Sequence, residues 1–153
     1  MKNYMKLELA AISENESFAR SAVAAFALPL NPTVAELADV KTAVSEAVTN
    51  CVVHAYKNAR RAENTLCIEC IAEEDELGGL LHITVTDFGC GIENIAQALA
   101  PFYTTLEGEE RSGMGFTIMQ SFMSEFSVKS EREKGTTVWM SKRFGGSENK
   151  AIG

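Results

Sequence analysis

The amino-acid sequence predicts an α+β fold, a two-layer sandwich in which helices cover one face of a mixed, mostly antiparallel sheet. Two observations carry this prediction: helical patterns stand before and between the strand-like segments, and those segments alternate apolar and polar residues. With 153 residues, 46% of them hydrophobic, the chain is long enough for one domain with a sizeable core. We expect residues 1–144 to form this domain and residues 145–153 to be a flexible tail.

Charge and hydropathy exclude several classes of protein. The formal net charge is -7 and no basic patch stands out, which argues against direct binding to nucleic acid. The first residues lack the apolar core of a signal peptide, and no run of 18 apolar residues predicts a membrane span. We therefore expect a soluble, cytoplasmic protein.

A strand and a helix open the chain. Met5–Ala11 has the pattern of a strand, and Ser13 and Glu16 then have the spacing of a capping box, which predicts a helix to about Leu28. A helical wheel places a buried stripe on one side of this helix and Arg20 on roughly the opposite side, open to partners. The predicted stripe consists of Phe18, Ala22 and Phe26.

The longest predicted helix follows two prolines. Pro29 and Pro32 end the first helix, and Thr33 and Glu36 form a second capping box, which predicts a helix to about Asn58. Apolar residues follow at steps of three and four, so we expect them to be core. They are Leu37, Val40, Val44, Val48, Cys51 and Ala55.

The second half predicts a hairpin, two helices and a last pair of strands. Apolar and polar residues alternate along both arms of the hairpin, around an acidic turn. The predicted elements are strands Thr65–Ala72 and Gly79–Asp87, a short helix Asn94–Ala100, a helix from about Gly113 with Phe116, Met119, Met123 and Phe126 at helical spacing, and strands Ser127–Ser130 and Thr136–Lys142.

Two of the four cysteines, Cys67 and Cys70, have the spacing of zinc and thioredoxin-type sites. They fall in a strand, where residues three apart point to opposite faces, and no second Cys or His pair has matching spacing. We expect buried, reduced thiols instead.

The segment around Asp87 can be interpreted in two ways. Asp87-Phe88-Gly89 is the magnesium-binding triplet of protein kinases, but the glycine-rich loop and catalytic loop that such kinases need are absent. The alternative is Asp87-x-Gly89-x-Gly91, in which a carboxylate ends a strand and two glycines let the backbone approach a flat ligand. Such a carboxylate can accept a hydrogen bond from an exocyclic amine. A plain tight turn with a capping Asp remains the alternative.

Glu46 and Asn50 lie one turn apart on the long helix, about 180° and 220° from Leu37 on the wheel, away from the aliphatic stripe. A carboxylate and an amide aimed in one direction suit a base that accepts a hydroxyl proton and an oxygen ligand for Mg²⁺. The alternative is a solvated polar face. His54 continues the row, and we expect it to be a core or boundary histidine.

The stretch Arg111-Ser112-Gly113-Met114-Gly115 opens the next helix. Glycines at a helix N-terminus expose backbone N–H groups to an anion, so the stretch suits a phosphate. The polar loop before it, with Thr104 and Thr105, can fold over a nucleotide as a lid. A loop without a ligand is the alternative.

Four motifs in this order and spacing resemble the GHKL ATPase family of gyrase, Hsp90, histidine kinases and MutL. They are Glu46-x-x-x-Asn50, Asp87-x-Gly89-x-Gly91, Gly113-x-Gly115 and Gly135-Thr136-Thr137. The resemblance runs from Met1 to about Arg143 and implies the Bergerat ATP-binding fold with ATP and Mg²⁺ as cofactors. It implies that Glu46 is the catalytic base, that Asn50 ligates Mg²⁺, and that Asp87 accepts the adenine amine. The nucleotide would also contact Gly89, Gly91, Thr104, Thr105, Arg111, Ser112, Gly113, Gly115 and Thr136.

Within that family, SEAVTNCVVHAY, ERSGMGFTIM and NESFAR resemble the anti-sigma factor serine kinases of endospore-forming bacteria. The only histidines are His54 and His82, neither on an upstream dimerisation helix, so a histidine autokinase does not fit. The resemblance implies a homodimer that holds a sporulation sigma factor while ATP-bound and phosphorylates a serine of an anti-anti-sigma protein. Arg20 would belong to the shared partner surface. The alternatives are a general-stress-type anti-sigma kinase and a nucleotide-dependent binding module without kinase activity.

Overall fold

The computed structural model describes residues 2–57, 61, 63–99 and 115–145. Its five strands form one sheet of order β1-β2-β3-β5-β4, in which every neighbouring pair is antiparallel. The predicted α+β class is confirmed, although the part of the sheet that the structure describes is antiparallel throughout rather than mixed. The strands are β1 Lys2–Ala10, β2 Thr65–Asp75, β3 Gly78–Asp87, β4 Glu125–Glu131 and β5 Gly135–Phe144.

Helices cover one face of this sheet. They are α1 Glu14–Ala27, a 3-10 turn Leu28–Leu30, α2 Val34–Thr49 with a π-helical continuation Asn50–Ala55, α3 Ile95–Ala98 and α4 Gly115–Phe122. None of the described helices has the length and apolarity that crossing a membrane requires.

The core lies between α2 and the middle of the sheet. Val40, Val44 and Val48, at the predicted spacing on α2, are fully buried, and so are Ile68 and Ile83 on the facing strands. The predicted capping box of α2 is also confirmed. Thr33 Oγ1 accepts from the Glu36 N–H at 3.1 Å, and the Glu36 carboxylate accepts from the Thr33 N–H at 2.8 Å. The α2 stripe and its cap thus hold the polar side of the helix in a fixed direction.

The first helix departs from its prediction in two respects. Ser13 precedes α1 but makes no side-chain cap, because its backbone is already helical and the Glu16 N–H donates to the Ser13 carbonyl at 3.1 Å. The Glu16 carboxylate accepts from the Thr49 hydroxyl of α2 at 3.1 Å. The fully buried stripe is also one residue out of register, although Phe26 of the predicted stripe is partly buried against the core. Phe18 is 53% exposed, whereas a stripe of small residues at i and i+4, Ala19, Val23 and Ala27, is fully buried. Small side chains allow α1 to pack closely on α2.

The second half follows its prediction more closely. The hairpin forms in antiparallel register, and Met119 and Met123 are buried, the first within α4 and the second just after it. Phe126 lies in β4 rather than on the helix, and its ring packs edge-on against Phe116 with the ring centroids 5.8 Å apart. The proposed tail from residue 146 onward lies outside the described residues.

The four cysteines are all free. Cys67 and Cys70 alternate between half-buried and buried along β2, as a strand requires. Burial raises the pKa of the Cys70 thiol to about 12, so this thiol stays protonated. Among the described residues no cluster of His, Cys, Asp or Glu side chains suits a metal ion.

Candidate functional site

A cavity of about 1130 Å³ opens where the ends of β3, β4 and β5 meet the helical layer. Its lining brings together side chains that are far apart in the sequence. The sequence-predicted site residues among them are Glu46, Asn50, Asp87, Gly91, Gly115 and Thr136. Two ends can be distinguished, a helix end formed by Glu46, Asn50 and Gly115, and a sheet end formed by Asp87, Ser130 and Thr136.

The helix end is made by the packing of α2 against the start of α4. A Cβ atom built on Gly115 would lie 3.2 Å from Asn50 Oδ1 and 3.3 Å from Glu46 Oε2. The backbone at the first residue of α4 is therefore in close contact with both side chains. The wheel prediction that Glu46 and Asn50 point the same way is confirmed, because both line the cavity and both are half-buried.

A π-helical turn, Asn50–Ala55, continues α2 beneath the cavity. The wide turn ends with the Tyr56 N–H donating to the Cys51 carbonyl at 3.3 Å, and the Ala55 carbonyl accepts from the Cys90 N–H at 3.1 Å. The segment after β3 is thereby fixed to the end of α2. No local sequence signal predicts this turn. The helical wheel of the long helix assumes ordinary α-helical geometry through these residues.

At the sheet end, Asp87 is 6% exposed and its carboxylate is held by backbone donors. Asp87 Oδ1 accepts from the Gly89 N–H at 3.0 Å and from the Thr136 N–H at 3.2 Å, and the Cys51 thiol hydrogen-bonds the same carboxylate. Burial raises the pKa of the Asp87 carboxyl, and these three donors oppose the rise. The alternative of a plain capping Asp accounts for the bond from Gly89 but not for those from Thr136 and Cys51.

Glycines at the sheet end make room for other backbone rather than for a ligand alone. A Cβ on Gly89 would collide with the Ala55 carbonyl, and one on Gly91, where φ is 76°, would collide with the Glu131 carbonyl. Gly135, at φ 123°, lies against the carbonyl of Asp87 in the same way. Gly91 lines the cavity, but Gly89 does not belong to the lining.

Several residues of the site were missed by the sequence reasoning. Tyr56 accepts from the Phe88 N–H at 2.8 Å and donates to the Thr65 carbonyl at 2.7 Å. Ser130 hydrogen-bonds two segments of the sheet end, Ile92 in the loop after β3 and Gly135-Thr136 at the start of β5. The sequence predicts Cys51 only as a member of the core stripe. Most of these contacts join residues far apart in sequence, and the bonds of Ser130 to Gly135 and Thr136 form only across the β4–β5 hairpin, so no local pattern could have found them.

Part of the predicted set lies outside the described residues, namely Thr104, Thr105, Arg111, Ser112 and Gly113. A different cation, Arg132, lines the cavity at its rim, 3.8 Å from the Glu93 carboxylate. Arg20 lies on α1, away from the cavity lining, and forms an ion pair with Glu16 at 3.6 Å.

The sheet order, the single helical layer and the cavity bounded by α2, the end of β3 and α4 define a class of ATPase domain. The chain belongs to the histidine kinase-like ATPase domain family, whose profile matches residues 9–142. Within it, the chain is similar to proteins named anti-sigma F factor. One from Geobacillus thermodenitrificans is 51% identical over 144 residues, covering 94% of both chains. One from Clostridium acetobutylicum is 51% identical, covering 94% of this chain and 96% of the relative. The resemblance stated from the sequence is thereby confirmed.

A solved structure supports the fold independently. It contains the RsbU and RsbW domains of a Mycobacterium tuberculosis protein, and it superposes with a TM-score of 0.62 at 18% identity. The match covers 93% of this chain and 32% of the other. At this level of identity the likeness establishes the fold alone.

Proposed function

We propose that this protein is an anti-sigma factor that binds ATP with Mg²⁺ and acts as a protein serine kinase. The observation that carries the proposal is the cavity itself. It joins a carboxylate and an amide at one end, Glu46 and Asn50, to a buried carboxylate, Asp87, at the other. Relatives with half of their residues identical are named anti-sigma F factors, which supports the same class of activity.

The sheet end suits adenine. Asp87 is buried and already accepts from two backbone N–H groups, so its position is fixed before a ligand arrives. Its remaining acceptor capacity matches the exocyclic amine of adenine. The cavity is also large enough for a nucleotide, since ligand sites usually measure about 300–1,000 Å³. We infer that Asp87 and Thr136 bind the base.

The helix end suits the phosphates and the reaction. Asn50 offers an amide oxygen of the kind that Mg²⁺ accepts, and bound Mg²⁺ would neutralise phosphate charge. Gly115 begins α4, whose N-terminal N–H groups favour an anion. Glu46 lies beside both and would take the proton of the acceptor serine as the serine oxygen bonds to the γ-phosphorus and ADP leaves. Thr104, Thr105, Arg111, Ser112 and Gly113 remain predicted nucleotide contacts.

The partners that we propose are a sporulation sigma factor of the F type and an anti-anti-sigma protein that supplies the serine. Arg20 on α1 is a candidate contact for both. It is partly exposed, and Phe18 on the outward side of the same helix is 53% exposed. Since sigma factors act on cytoplasmic RNA polymerase, the protein would work in the cytoplasm, through the single domain 1–144.

The open face of the sheet supports the proposed homodimer. Tyr4 is 58% exposed there and Ile71 38%. Lysine and glutamate lie side by side on the face, as in the cross-strand neighbours Lys6 and Glu69, so a copy related by a twofold axis can place opposite charges against each other. Sedimentation equilibrium tests this point, and a monomer at every concentration would contradict it.

One experiment tests the proposed function as a whole. The purified chain is incubated with γ-labelled ATP, with or without Mg²⁺, in the presence of candidate sigma and anti-anti-sigma proteins. We expect ATP-dependent capture of the F-type sigma factor and Mg²⁺-dependent transfer of label to a serine of the antagonist. Capture of a general-stress sigma factor instead would assign the other anti-sigma class. Binding of ATP without any transfer would indicate a nucleotide-dependent binding module.

A further inference from the structure

Ser130 of β4 lies where three segments of the sheet end meet. Its Oγ accepts from the Ile92 N–H at 2.6 Å. The same oxygen lies 3.1 Å from the Gly135 carbonyl and 2.8 Å from Thr136 Oγ1. Ser130 also lines the cavity beside Asp87. It is therefore in direct contact with Thr136, a residue that we propose to bind the base.

The direction of these hydrogen bonds follows from the number of protons available. A serine hydroxyl has one proton to donate and two lone pairs to accept with. The Ile92 N–H can only donate and the Gly135 carbonyl can only accept, so the Ser130 proton goes to Gly135. The Thr136 hydroxyl must then donate to Ser130. In this arrangement all three contacts are hydrogen bonds, whereas a Ser130 that donates to Thr136 would leave the contact with Gly135 unmade.

The consequence concerns Thr136. Its N–H donates to Asp87 Oδ1 at 3.2 Å, and its hydroxyl proton is committed to Ser130. Toward the cavity, Thr136 Oγ1 can then only accept. The Asp87 carboxylate beside it also only accepts while it is ionised. Two neighbouring acceptors complement the amine of a 6-aminopurine and oppose the carbonyl of a 6-oxopurine.

We propose that Ser130 is a positioning residue for base selection: it fixes the Thr136 hydroxyl as an acceptor, so that the cavity takes 6-aminopurine nucleotides and rejects 6-oxopurine nucleotides. The inference rests on the proposed function, in that the cavity is taken to bind ATP. It adds a residue that acts on the ligand only through Thr136.

The experiment compares ATP with inosine triphosphate, whose base has a carbonyl in place of the amine and an N–H in place of the bare N1, and whose sugar and phosphates are the same. Equilibrium competition gives the ratio of the two affinities for the wild-type chain and for Ser130→Ala. Without Ser130 the Thr136 hydroxyl can turn and donate to a carbonyl, so the preference for ATP should fall about 3- to 10-fold, the range for one changed hydrogen bond. Ser127→Ala is the matched control, because Ser127 lies on the same strand, exposed and outside the cavity lining.

A merely structural role of Ser130 would weaken both nucleotides equally and leave the ratio unchanged, which overturns the inference. Thr136→Val provides a second check: adding Ser130→Ala to it should not change the ratio further, and a further fall overturns action through Thr136. If Ser130→Ala does not fold, Ser130→Cys, with its weak hydrogen-bonding thiol, is measured in its place and the same ratio decides. A wild-type chain that binds neither nucleotide contradicts the proposed function as well, whereas an unchanged ratio in a chain that binds ATP overturns this inference alone.

Discussion

At the sheet end of the cavity, Asp87 and Thr136 are joined to each other and to Ser130 by hydrogen bonds that cross between strands. At the helix end, Glu46 and Asn50 meet Gly115 because two helices pack together. The first arrangement fixes donors and acceptors before a ligand binds, which suits recognition. The helix end instead brings Glu46 and Asn50 together where two helices meet. This arrangement suits a reaction at the phosphates, which a bound nucleotide would place there. We therefore expect sheet-end variants to change affinity and selectivity, and a variant of Glu46 at the helix end to change rate.

The largest effect is expected for Glu46→Gln. The amide keeps the shape of the side chain but cannot accept the serine proton, so phosphoryl transfer should fall roughly 10²- to 10⁴-fold. ATP binding and sigma capture should remain. The measurement pairs label transfer with nucleotide titration, and Glu74→Gln, an exposed glutamate of β2 outside the cavity lining, is the control. Near-normal transfer by Glu46→Gln would remove Glu46 from the role of base and weaken the contrast between the two ends.

The next effect tests how rigidly the sheet end is built. Gly135 has φ 123°, and a Cβ there would collide with the carbonyl of Asp87. Gly145 also has a positive φ, 72°, but its Cβ would meet nothing within 4 Å. Gly135→Ala should therefore lower the free energy of unfolding by about 2–4 kcal/mol, and Gly145→Ala by about 1–2 kcal/mol. Urea unfolding measures the loss of unfolding free energy in each variant. Equal losses would show that a small backbone shift relieves the collision between the new Cβ atom at position 135 and the Asp87 carbonyl.

The sequence predicted those parts of the molecule whose signals are local. The cap and stripe of α2 were found because Thr33 and Glu36 bond each other and because the stripe repeats along one helix. The same reasoning failed at Ser13, because the Ser13 backbone is already helical and its carbonyl, not its side chain, accepts from the Glu16 N–H. The Glu16 carboxylate is held by Thr49, 33 residues away. It failed at Phe18 because the helical wheel places the aromatic residues of α1 on the buried side, whereas the fully buried stripe consists of the smaller Ala19, Val23 and Ala27.

The residues of the candidate site also divide into those that a local sequence pattern predicts and those that depend on contacts distant in sequence. Glu46 and Asn50 are one helical turn apart, so their common direction could be predicted from spacing alone. The role of Ser130 depends on Ile92 in the loop after β3 and on Gly135 across the hairpin, and that arrangement exists only once the sheet has formed. The π-helical turn is likewise joined to a segment distant in sequence, because the Ala55 carbonyl at its end accepts from the Cys90 N–H.

Asp87→Asn should separate ligand affinity from stability at the sheet end. Losing an ionised acceptor for the adenine amine should weaken ATP about 10- to 100-fold and relax the preference over GTP. The pKa of the Asp87 carboxyl is raised by burial, so ionised Asp87 costs stability.

That cost is absent below the usual Asp pKa and is fully present above the raised one, so it grows as pH rises through the interval between them. Without nucleotide, Asp87→Asn should therefore gain stability relative to wild type between about pH 4 and pH 7. Thermal unfolding at both pH values checks the sign. A variant that loses stability toward pH 7 while binding ATP normally would mean that Asp87 serves the fold and not the base.

The smallest effect is expected for Arg20→Glu. This variant tests whether the surface of α1 is coupled to the helix end of the cavity. Arg20 pairs with Glu16 at 3.6 Å, and Glu16 accepts from Thr49, the residue before Asn50. Arg20→Glu places like charges one turn apart on a partly exposed helix, which costs only about 0.2–0.5 kcal/mol. ATP affinity and thermal stability should stay nearly unchanged, while capture of sigma or of the anti-anti-sigma protein falls about 10-fold through lost complementarity.

Lys134→Glu is a matched control for that charge reversal, since Lys134 also pairs with a glutamate on its own chain segment, Glu131 at 3.0 Å, but lies on the β4–β5 turn. It should leave partner capture intact, and Arg20→Lys should restore part of what Arg20→Glu loses. If Arg20→Glu instead lowers ATP affinity, the Glu16–Thr49 hydrogen bond transmits the change to Asn50. The helix end would then extend to the surface of α1, and partner binding and nucleotide binding would be coupled through this contact. If both partners bind normally, Arg20 does not belong to the partner surface.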